Sequence, residues 1–279
     1  MRHGTLKSGV IGWPIDHSLS PRLYGFWMRE HGINGVYHAI AVETNALPAL
    51  LKTLADEGYV GLNVTVPHKE AVMAHLDEIT DQARWIGAVN TIVIDEKAHL
   101  RGSNTDGFGF IENLKGGHPG FSAASGPAVV LGAGGAARAI VAALIDGGAP
   151  SITLANRTRA RADQIADDLG GPVRVVDWAA RNAALKDVAL LVNTTTLGMA
   201  GKAALDISLD ALPTEALVND IVYVPLETPL LGAAKARGNA VVDGLGMLLH
   251  QGRPGFATFF GVDPKVTDDL RRYVLSGTG

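Results

Sequence analysis

The chain has 279 residues, of which 47% are hydrophobic and 19% charged, so it is long enough to form about two globular domains with buried cores. Its 24 basic and 28 acidic residues give a net charge of −4, which excludes the basic excess expected of proteins that bind nucleic acid or anionic membranes. Because it lacks cysteine, a signal-peptide core, an apolar run of membrane-spanning length and histidines at metal-ligand spacing, we expect a cytoplasmic protein without disulfides or metal.

The first half of the chain alternates strand-like and helix-like segments. The expected strands cover residues 9–13, 36–42, 60–66 and 87–94. A first helix is expected to end at residue 32, and further helices to cover residues 46–57, 68–79 and 108–114. The strand over residues 87–94 is expected to turn back in a hairpin that reaches Arg101. This alternation is typical of an α/β domain.

Two serines precede the first helix, in SLSP at residues 18–21. Ser20 followed by Pro21 is typical of a helix N-cap and a proline in the first turn. This interpretation leaves Ser18 without a role. In an extended segment Ser18 and Ser20 point to the same side, so their two hydroxyls could bind one carboxylate. The residues alone favour the cap and leave the binding site open.

Polar side chains lie in and after the strand over residues 60–66. Asn63 and Thr65 share one face of a strand that is otherwise apolar, so they need a polar partner. Lys69 follows in the first turn of the expected helix, where the helix dipole disfavours a cation. A lysine placed against this rule at a strand's carboxyl end is a candidate functional residue. The alternative is that Lys69 simply extends to solvent.

Two further polar residues stand out near residue 100. Asn90 is the one amide in GAVNTIVI at residues 87–94. Asp106, in NTDG at residues 104–107, precedes a helix and is typical of an N-cap. The sequence leaves open whether Asp106 has a functional role in addition to capping the helix.

A glycine-rich corner lies in the middle of the chain, in AVVLGAGGAAR at residues 128–138. An apolar strand, a glycine turn and an alanine-rich helix follow one another. Gly132 allows the tight turn, and Gly134 lets the backbone approach a pyrophosphate at the helix N-terminus. Taken alone, the pattern fits a dinucleotide site and an ordinary strand-to-helix turn equally well.

The next strand, residues 151–155, decides between these alternatives. It ends in Asn156 and Arg157, where an NAD site would carry an acidic residue for the ribose 2′-hydroxyl. A guanidinium instead binds a 2′-phosphate, so the sequence favours NADP. The alternative is that Arg157, Arg159 and Arg161 belong to a solvated helix start.

The remaining segments complete a doubly wound parallel sheet, with strands expected over residues 173–176, 188–192, 217–221 and 240–242. NTTTLGM at residues 193–199 follows a strand's carboxyl end, where ligands bind. A helix over residues 245–260 carries Gln251, and we assign it, with a last helix near residues 264–273, to the first domain. Residues 275–279 are expected to form a frayed tail.

With these motifs in register, the chain resembles the shikimate dehydrogenases of the AroE type over nearly its whole length. The resemblance rests on SLSP, NVTVPHK, GAVNT, NTDG, GAGGAARA, NRT and, at residues 243–252, DGLGMLLHQG. It implies an α/β fold of two domains with the active site in the cleft between them. Residues 107–244 would form a Rossmann-like, doubly wound parallel NADP-binding sheet, and residues 1–106 with 245–279 an α/β substrate-binding domain.

The resemblance also implies an activity and a set of site residues. The activity is the reversible, NADP-dependent reduction of 3-dehydroshikimate to shikimate on the route to chorismate and the aromatic amino acids, by a monomer or homodimer. The matching positions make Lys69 and Asp106 the catalytic pair. The substrate would contact Ser18 and Ser20 through its carboxylate, and Asn63, Thr65, Asn90, Tyr223 and Gln251 elsewhere.

For the cofactor, the resemblance implies that Asn156, Arg157, Thr158 and Arg161 surround the adenosine phosphate and that Met247 lies by the nicotinamide. The remaining expected cofactor residues are Gly132, Ala133, Gly134, Gly135, Ala136, Thr194, Met199, Ile221 and Gly244. Arg253 departs from the family, which often has alanine after the QG pair. The resemblance therefore does not extend to this residue at the rim of the substrate pocket.

Two alternatives remain. A quinate/shikimate dehydrogenase using NAD would be favoured by an acid at residue 156 or 157, and neither is present. A non-catalytic NADP-binding sensor is disfavoured because both Lys69 and Asp106 are retained. Quinate-using relatives often carry threonine where this chain has Ser20, so the resemblance implies a preference for shikimate.

Overall fold

A computed structural model describes residues 5–277. The chain divides into two compact units, which we call unit 1 (Met1–Thr105 with Gln251–Gly279) and unit 2 (Asp106–His250). Within residues 5–277, no helix combines the length and the apolar character needed to cross a bilayer.

Unit 1 is built on a mixed sheet. Up to Thr105 its elements are β1 (Leu6–Gly12), α1 (Ser20–Glu30), β2 (Gly35–Ala41), α2 (Leu47–Thr53), β3 (Tyr59–Val64), α3 (His68–Ala71), β4 (Glu78–Ile79), α4 (Asp81–Ile86), β5 (Thr91–Ile94) and β6 (Leu100–Ser103). The six strands are ordered β2-β1-β3-β5-β6-β4. β1 runs parallel to β2 and β3, whereas β5 is antiparallel to β3 and β6.

The centre of this sheet forms the core of unit 1. Every residue of β3 is buried, as expected for a central strand covered on both faces. Ile11, Leu62 and Ile92, from three neighbouring strands, are completely buried in one cluster. Asn63 is therefore a polar residue inside an apolar strand, and its hydrogen bonds must be supplied by the protein or by a ligand.

The helix predicted over residues 68–79 is wrong. α3 has four residues, a 3-10 helix follows at Val72–His75, and the chain then becomes extended and adds β4 to the sheet. The free edge of β6 accounts for the change, because the main chains of Asp77 and Thr80 donate to the carbonyls of Leu100 and Gly102 at 3.0 Å each. Tertiary pairing thus overrides helix propensity, and α4, which the sequence analysis missed, begins after the Thr80 N-cap.

Unit 2 is a doubly wound α/β domain. Its elements are α5 (Asp106–Gly117), β7 (Ala128–Leu131), α6 (Gly135–Asp146), β8 (Ile152–Asn156), α7 (Arg159–Leu169), β9 (Val173–Asp177), β10 (Leu190–Asn193), β11 (Leu217–Asp220), α8 (Pro229–Ala236) and β12 (Val241–Val242), followed by the start of α9 (Leu245–Phe260). All neighbouring strands are parallel, in the order β12-β11-β10-β7-β8-β9. The strand order reverses between β7 and β10, and this switch point is where such sheets bind ligands. The predicted α/β fold class is confirmed.

The boundary between the units falls inside α9. The sequence analysis assigned this whole helix to the first domain, whereas its first turns belong to unit 2. The reason is packing against α5: Asn113 donates to the carbonyl of Asp243 at 2.7 Å, and Gly246 approaches Asn113 so closely that a larger residue would clash.

The end of unit 1 is more ordered than a frayed tail. α10 (Asp268–Leu275) begins at the Thr267 N-cap and is followed by Ser276. Arg22 donates to the Tyr273 carbonyl at 2.6 Å and to the Ser276 hydroxyl at 2.8 Å, which holds this end against α1. The frayed-tail prediction is wrong for residues 275–277, and residues 278–279 lie outside the described part of the chain.

Candidate functional site

Neither of the two serines at the start of α1 occupies its N-cap position. Leu19 does, Ser20 is already the first helical residue, and the Leu19 side chain makes no capping hydrogen bond. The cap interpretation of Ser20 is therefore wrong. Ser18 is half-buried and its hydroxyl accepts the Ser20 N–H at 3.3 Å, while Ser20 is 6% exposed. This bond links the two serines, and binding of a carboxylate by their hydroxyls stays a prediction.

Unit 1 brings three predicted substrate residues into one polar network. Asn63 comes from β3, Asn90 precedes β5, and Gln251 lies in α9. Asn63 Nδ2 donates to Thr91 Oγ1 at 3.2 Å, and Thr91 Oγ1 donates to Asn90 Oδ1 at 3.0 Å. Asn90 Nδ2 in turn donates to Gln251 Oε1 at 3.1 Å. Residues far apart in sequence thus form one connected chain of hydrogen bonds.

Thr105 completes this network. Its main-chain N–H donates to Asn90 Oδ1 at 2.9 Å, and its hydroxyl accepts from Asn90 Nδ2 and donates to the Gln251 carbonyl, both at 2.9 Å. The orientation of the Asn90 carboxamide is therefore determined by the protein. Sequence analysis missed Thr91 and Thr105, although both lie inside quoted motifs, GAVNT and NTDG, and this placement was the available signal.

The two predicted catalytic residues belong to different units. Lys69 is half-buried in α3, and its carbonyl accepts the Val89 N–H at 2.8 Å, which ties its turn to the segment before Asn90. Asp106 is buried as the first residue of α5, a twelve-residue helix whose dipole favours a carboxylate there. Their action as a pair stays a prediction.

In unit 2, the corner between β7 and α6 has the features of an anion site. Gly132 has a φ of +112°, which favours glycine, and Gly134 is the extended N-cap of α6. A Cβ placed on Gly134 would meet no atom within 4 Å, so this helix N-terminus faces open space. Thr194 borders the corner and donates its hydroxyl to the Leu131 carbonyl at 2.7 Å. The corner fits a pyrophosphate.

The end of β8 presents an available guanidinium. Arg157 is exposed, and its side chain has no hydrogen bond or ion pair with any residue that the structure describes. Arg159, by contrast, is paired with Asp163 at 3.5 Å and Asp177 at 2.9 Å. Thr158 is the N-cap residue of α7 without a side-chain capping bond. Arg157 is therefore the arginine best suited to bind a phosphate.

A buried carboxylate, which the sequence analysis did not select, organises the carboxyl ends of β10 and β11. Asp220 is 0% exposed, and its Oδ1 accepts from Asn193 Nδ2 and the Val222 N–H, both at 3.0 Å. Its Oδ2 accepts from the Thr228 hydroxyl at 2.7 Å. Burial raises the pKa of Asp220, and these three donors partly offset the rise. The polar end of an otherwise apolar strand was the available signal.

Four more predicted residues of unit 2 follow its last three strands in the chain: Met199, Tyr223, Gly244 and Met247. Tyr223 is half-buried, and burial raises its pKa. Gly244 approaches the Ile221 main chain so closely that no side chain would fit. Met247 is buried, whereas Met199 is 37% exposed. Met199, Tyr223 and Gly244 thus lie in the loops after the carboxyl ends of β10, β11 and β12, and Met247 lies in the first turn of α9.

The guanidinium of Arg253 is bound to the connection between α9 and α10. It donates to both carboxylate oxygens of Asp263, at 3.1 and 2.9 Å, and to the Pro264 carbonyl at 2.9 Å. Its role is to hold the connection between α9 and α10. Within residues 5–277, no three acidic or histidine side chains form a cluster able to hold a metal ion.

Comparison with known proteins decides the family. The model of the shikimate dehydrogenase substrate binding domain matches residues 10–92, and that of shikimate / quinate 5-dehydrogenase matches residues 120–200. The NADP(+) shikimate dehydrogenase of Paramagnetospirillum magneticum is 59% identical over 269 residues, covering 96% of this chain and 98% of the relative. The chain belongs to the shikimate dehydrogenase family.

Solved structures agree with this assignment. The shikimate 5-dehydrogenase of Thermus thermophilus, solved with NADP(H) and shikimate, has a TM-score of 0.86 and 38% identity, covering 98% of this chain and 99% of that one. The quinate dehydrogenase of Corynebacterium glutamicum, solved with NAD, has a TM-score of 0.89 and 33% identity over 98% and 99%. The resemblance to shikimate dehydrogenases is confirmed, and the chain is an oxidoreductase of this family.

Proposed function

We propose that this shikimate dehydrogenase reversibly reduces 3-dehydroshikimate to shikimate with NADPH, on the route to chorismate and the aromatic amino acids. The observation that carries the proposal is the network joining Asn63, Asn90 and Gln251, three residues that the motifs assign to the substrate ring. Its amides are oriented by the protein, as selective binding of a polyhydroxylated ring requires.

The residues of the chain account for the proton chemistry. NADPH, when bound, supplies the hydride. Negative charge develops on the ketone oxygen, and the Lys69 ammonium would stabilise that charge and donate the proton; in the reverse direction Lys69 would accept it. Asp106 would orient Lys69 and bind the neighbouring hydroxyl. Ser18 and Ser20 would bind the carboxylate, and Thr65 and Tyr223 would border the ring.

The residues of unit 2 fit NADP. The open N-terminus of α6 would bind the pyrophosphate, and the exposed Arg157 would bind the 2′-phosphate. The close relatives are named for NADP(+), whereas one structural neighbour is a quinate dehydrogenase solved with NAD. Quinate with NAD is therefore the second candidate. A cytoplasmic location and a monomeric or homodimeric state stay predictions.

A spectrophotometric assay of the purified protein with shikimate or quinate, each with NADP or NAD, tests the proposal. Quinate carries a hydroxyl on the carbon that bears its carboxylate, and burying it without a partner costs about 1–3 kcal/mol. We therefore expect kcat/KM for shikimate with NADP to exceed that for quinate at least about tenfold. Comparable efficiency on quinate, or preference for NAD, would favour the second candidate, and cofactor binding without turnover would indicate a sensor.

A further inference from the structure

Two stacked tyrosines lie beside the predicted substrate residues of unit 1. Tyr24 of α1 and Tyr37 of β2 have ring centroids 4.1 Å apart and an interplanar angle of 27°. The Tyr24 hydroxyl donates to the Gly252 carbonyl at 3.1 Å, next to Gln251. The Tyr37 hydroxyl donates to Asn63 Oδ1 at 2.8 Å. Neither hydroxyl has a role in the function proposed above.

The Tyr37 hydroxyl reaches one predicted substrate residue directly. Its partner is Asn63 Oδ1, at 2.8 Å. Burial raises the pKa of Tyr37 well above its usual range, and the neighbouring Tyr24 adds to the rise. The phenol therefore stays protonated near neutral pH. Its one proton is therefore available to donate to Asn63 Oδ1.

These bonds fix the orientation of Asn63. Because Asn63 Oδ1 accepts from Tyr37, its Nδ2 is directed to the Asn90 carbonyl at 3.3 Å and to Thr91 Oγ1 at 3.2 Å. Without the phenolic proton, Oδ1 would lose its donor, and a flipped amide would place a carbonyl oxygen against the Asn90 carbonyl. Tyr37 thus stands at one end of the network that reaches Gln251.

We propose that Tyr37 is a positioning residue of the substrate site, whose hydroxyl orients the Asn63 carboxamide for binding of the substrate ring. The stacked Tyr24 holds the Tyr37 ring in place. The proposal rests on the function proposed above, because it takes Asn63 to be a substrate ligand.

Steady-state kinetics of Tyr37→Phe tests the proposal. The variant keeps the ring and removes one hydroxyl, so we expect KM for shikimate to rise about three- to tenfold, as for a lost hydrogen bond, with kcat and KM for NADP nearly unchanged. Tyr59→Phe is the matched control, since the Tyr59 hydroxyl lies 2.8 Å from His38 Nδ1 on the same sheet, and its KM for shikimate should stay at the wild-type value. An unchanged KM in Tyr37→Phe, or an equal rise in the control, would overturn the proposal.

A double-mutant cycle with Asn63→Ala provides a second readout. If Tyr37 acts through Asn63, Tyr37→Phe should raise KM less in the Asn63→Ala background than in the wild type. Additive effects would contradict the proposal. If Tyr37→Phe did not fold, an Asn63→Ala enzyme with normal KM for shikimate would still contradict it.

Calorimetric titration with shikimate separates the two proposals. Weaker binding to Tyr37→Phe than to wild type and Tyr59→Phe would support the positioning role even if turnover were absent. Equal binding to all three would overturn that role while leaving a turnover-competent shikimate dehydrogenase in place. A wild type that neither binds nor oxidises shikimate would overturn both.

Discussion

At the scale of single residues, Lys69 is a candidate whose helical surroundings differ from the expected ones. The sequence predicts that it lies against the dipole of a long helix, but α3 has only four residues, and one turn has too few aligned peptides for a substantial dipole. Two other observations support Lys69 as a candidate catalytic residue. It lies in the motif NVTVPHK, and its carbonyl accepts the Val89 N–H, which fixes its turn next to Asn90.

We predict that Lys69→Ala lowers kcat by about 10² to 10⁴ while NADP binding is retained, because the variant lacks the general acid but keeps the residues of unit 2. Initial-rate assays would measure kcat, and fluorescence titration with NADPH would measure cofactor binding. Lys52→Ala, in the last turn of α2, is the control and should have normal kcat. A near-normal kcat in Lys69→Ala would remove this lysine from the mechanism.

At the scale of elements, Asp220 links two strands and a helix. It accepts hydrogen bonds from Asn193 at the end of β10 and from Val222 just after β11. It also accepts from the hydroxyl of Thr228, which in turn accepts the Leu231 N–H and caps α8. A carboxylate suits this position because all three of its partners are donors. The cost is desolvation, which raises the pKa of Asp220.

We predict a pH-dependent stability difference between the wild type and Asp220→Asn. Because the folded pKa is raised above the unfolded value of about 3.9, the protonated carboxyl favours folding at low pH, and this contribution is lost as pH rises through the folded pKa. The free energy of unfolding of the wild type minus that of Asp220→Asn should therefore fall as pH rises from the unfolded to the folded pKa.

Urea unfolding at a series of pH values, followed by far-UV circular dichroism, would measure this difference. Asp16→Asn, an exposed aspartate of unit 1, reports the effect of the same substitution without burial. A difference that stays constant with pH would show that the three donors balance desolvation at Asp220, and one that rises with pH would show that they outweigh it.

At the scale of the whole molecule, cofactor binding connects Arg157 to the stability of the fold. A ligand that binds only the folded state stabilises it by RT ln(1 + [L]/Kd), about 2.7 kcal/mol at a concentration of one hundred times Kd. NADP should therefore raise the midpoint of thermal unfolding. The size of that shift reports affinity without requiring turnover.

We predict that Arg157→Ala weakens NADP binding about tenfold to a hundredfold, because a charge-assisted contact to the 2′-phosphate is lost, with NAD binding little changed. The NADP-induced rise in the thermal midpoint should shrink accordingly. Arg159→Ala is the matched control, since Arg159 is already paired with Asp163 and Asp177, and it should keep the full shift. A wild type stabilised more by NAD than by NADP would contradict this role for Arg157.

The sequence by itself determined the parts of this protein that depend on local chemistry. The turn at Gly132 follows from a backbone angle that favours glycine, and the prediction of NADP follows from a guanidinium where an NAD site would carry an acid. The parallel sheet of unit 2 follows from short apolar strands alternating with helices. The spaced motifs identified the family because each motif is a short run of consecutive residues, which can be recognised without knowing the fold.

Only the tertiary structure decided which side chains meet. It pairs β4 with β6 where the sequence predicted a helix, and it leaves the Ser20 hydroxyl outside any helix cap. It also joins Asn63 to Gln251 through Thr91 and Asn90, and it adds Tyr37, which belongs to none of the quoted motifs. These contacts link residues far apart in the chain, and their partners are set by strand order and helix packing, which no local pattern of residues specifies.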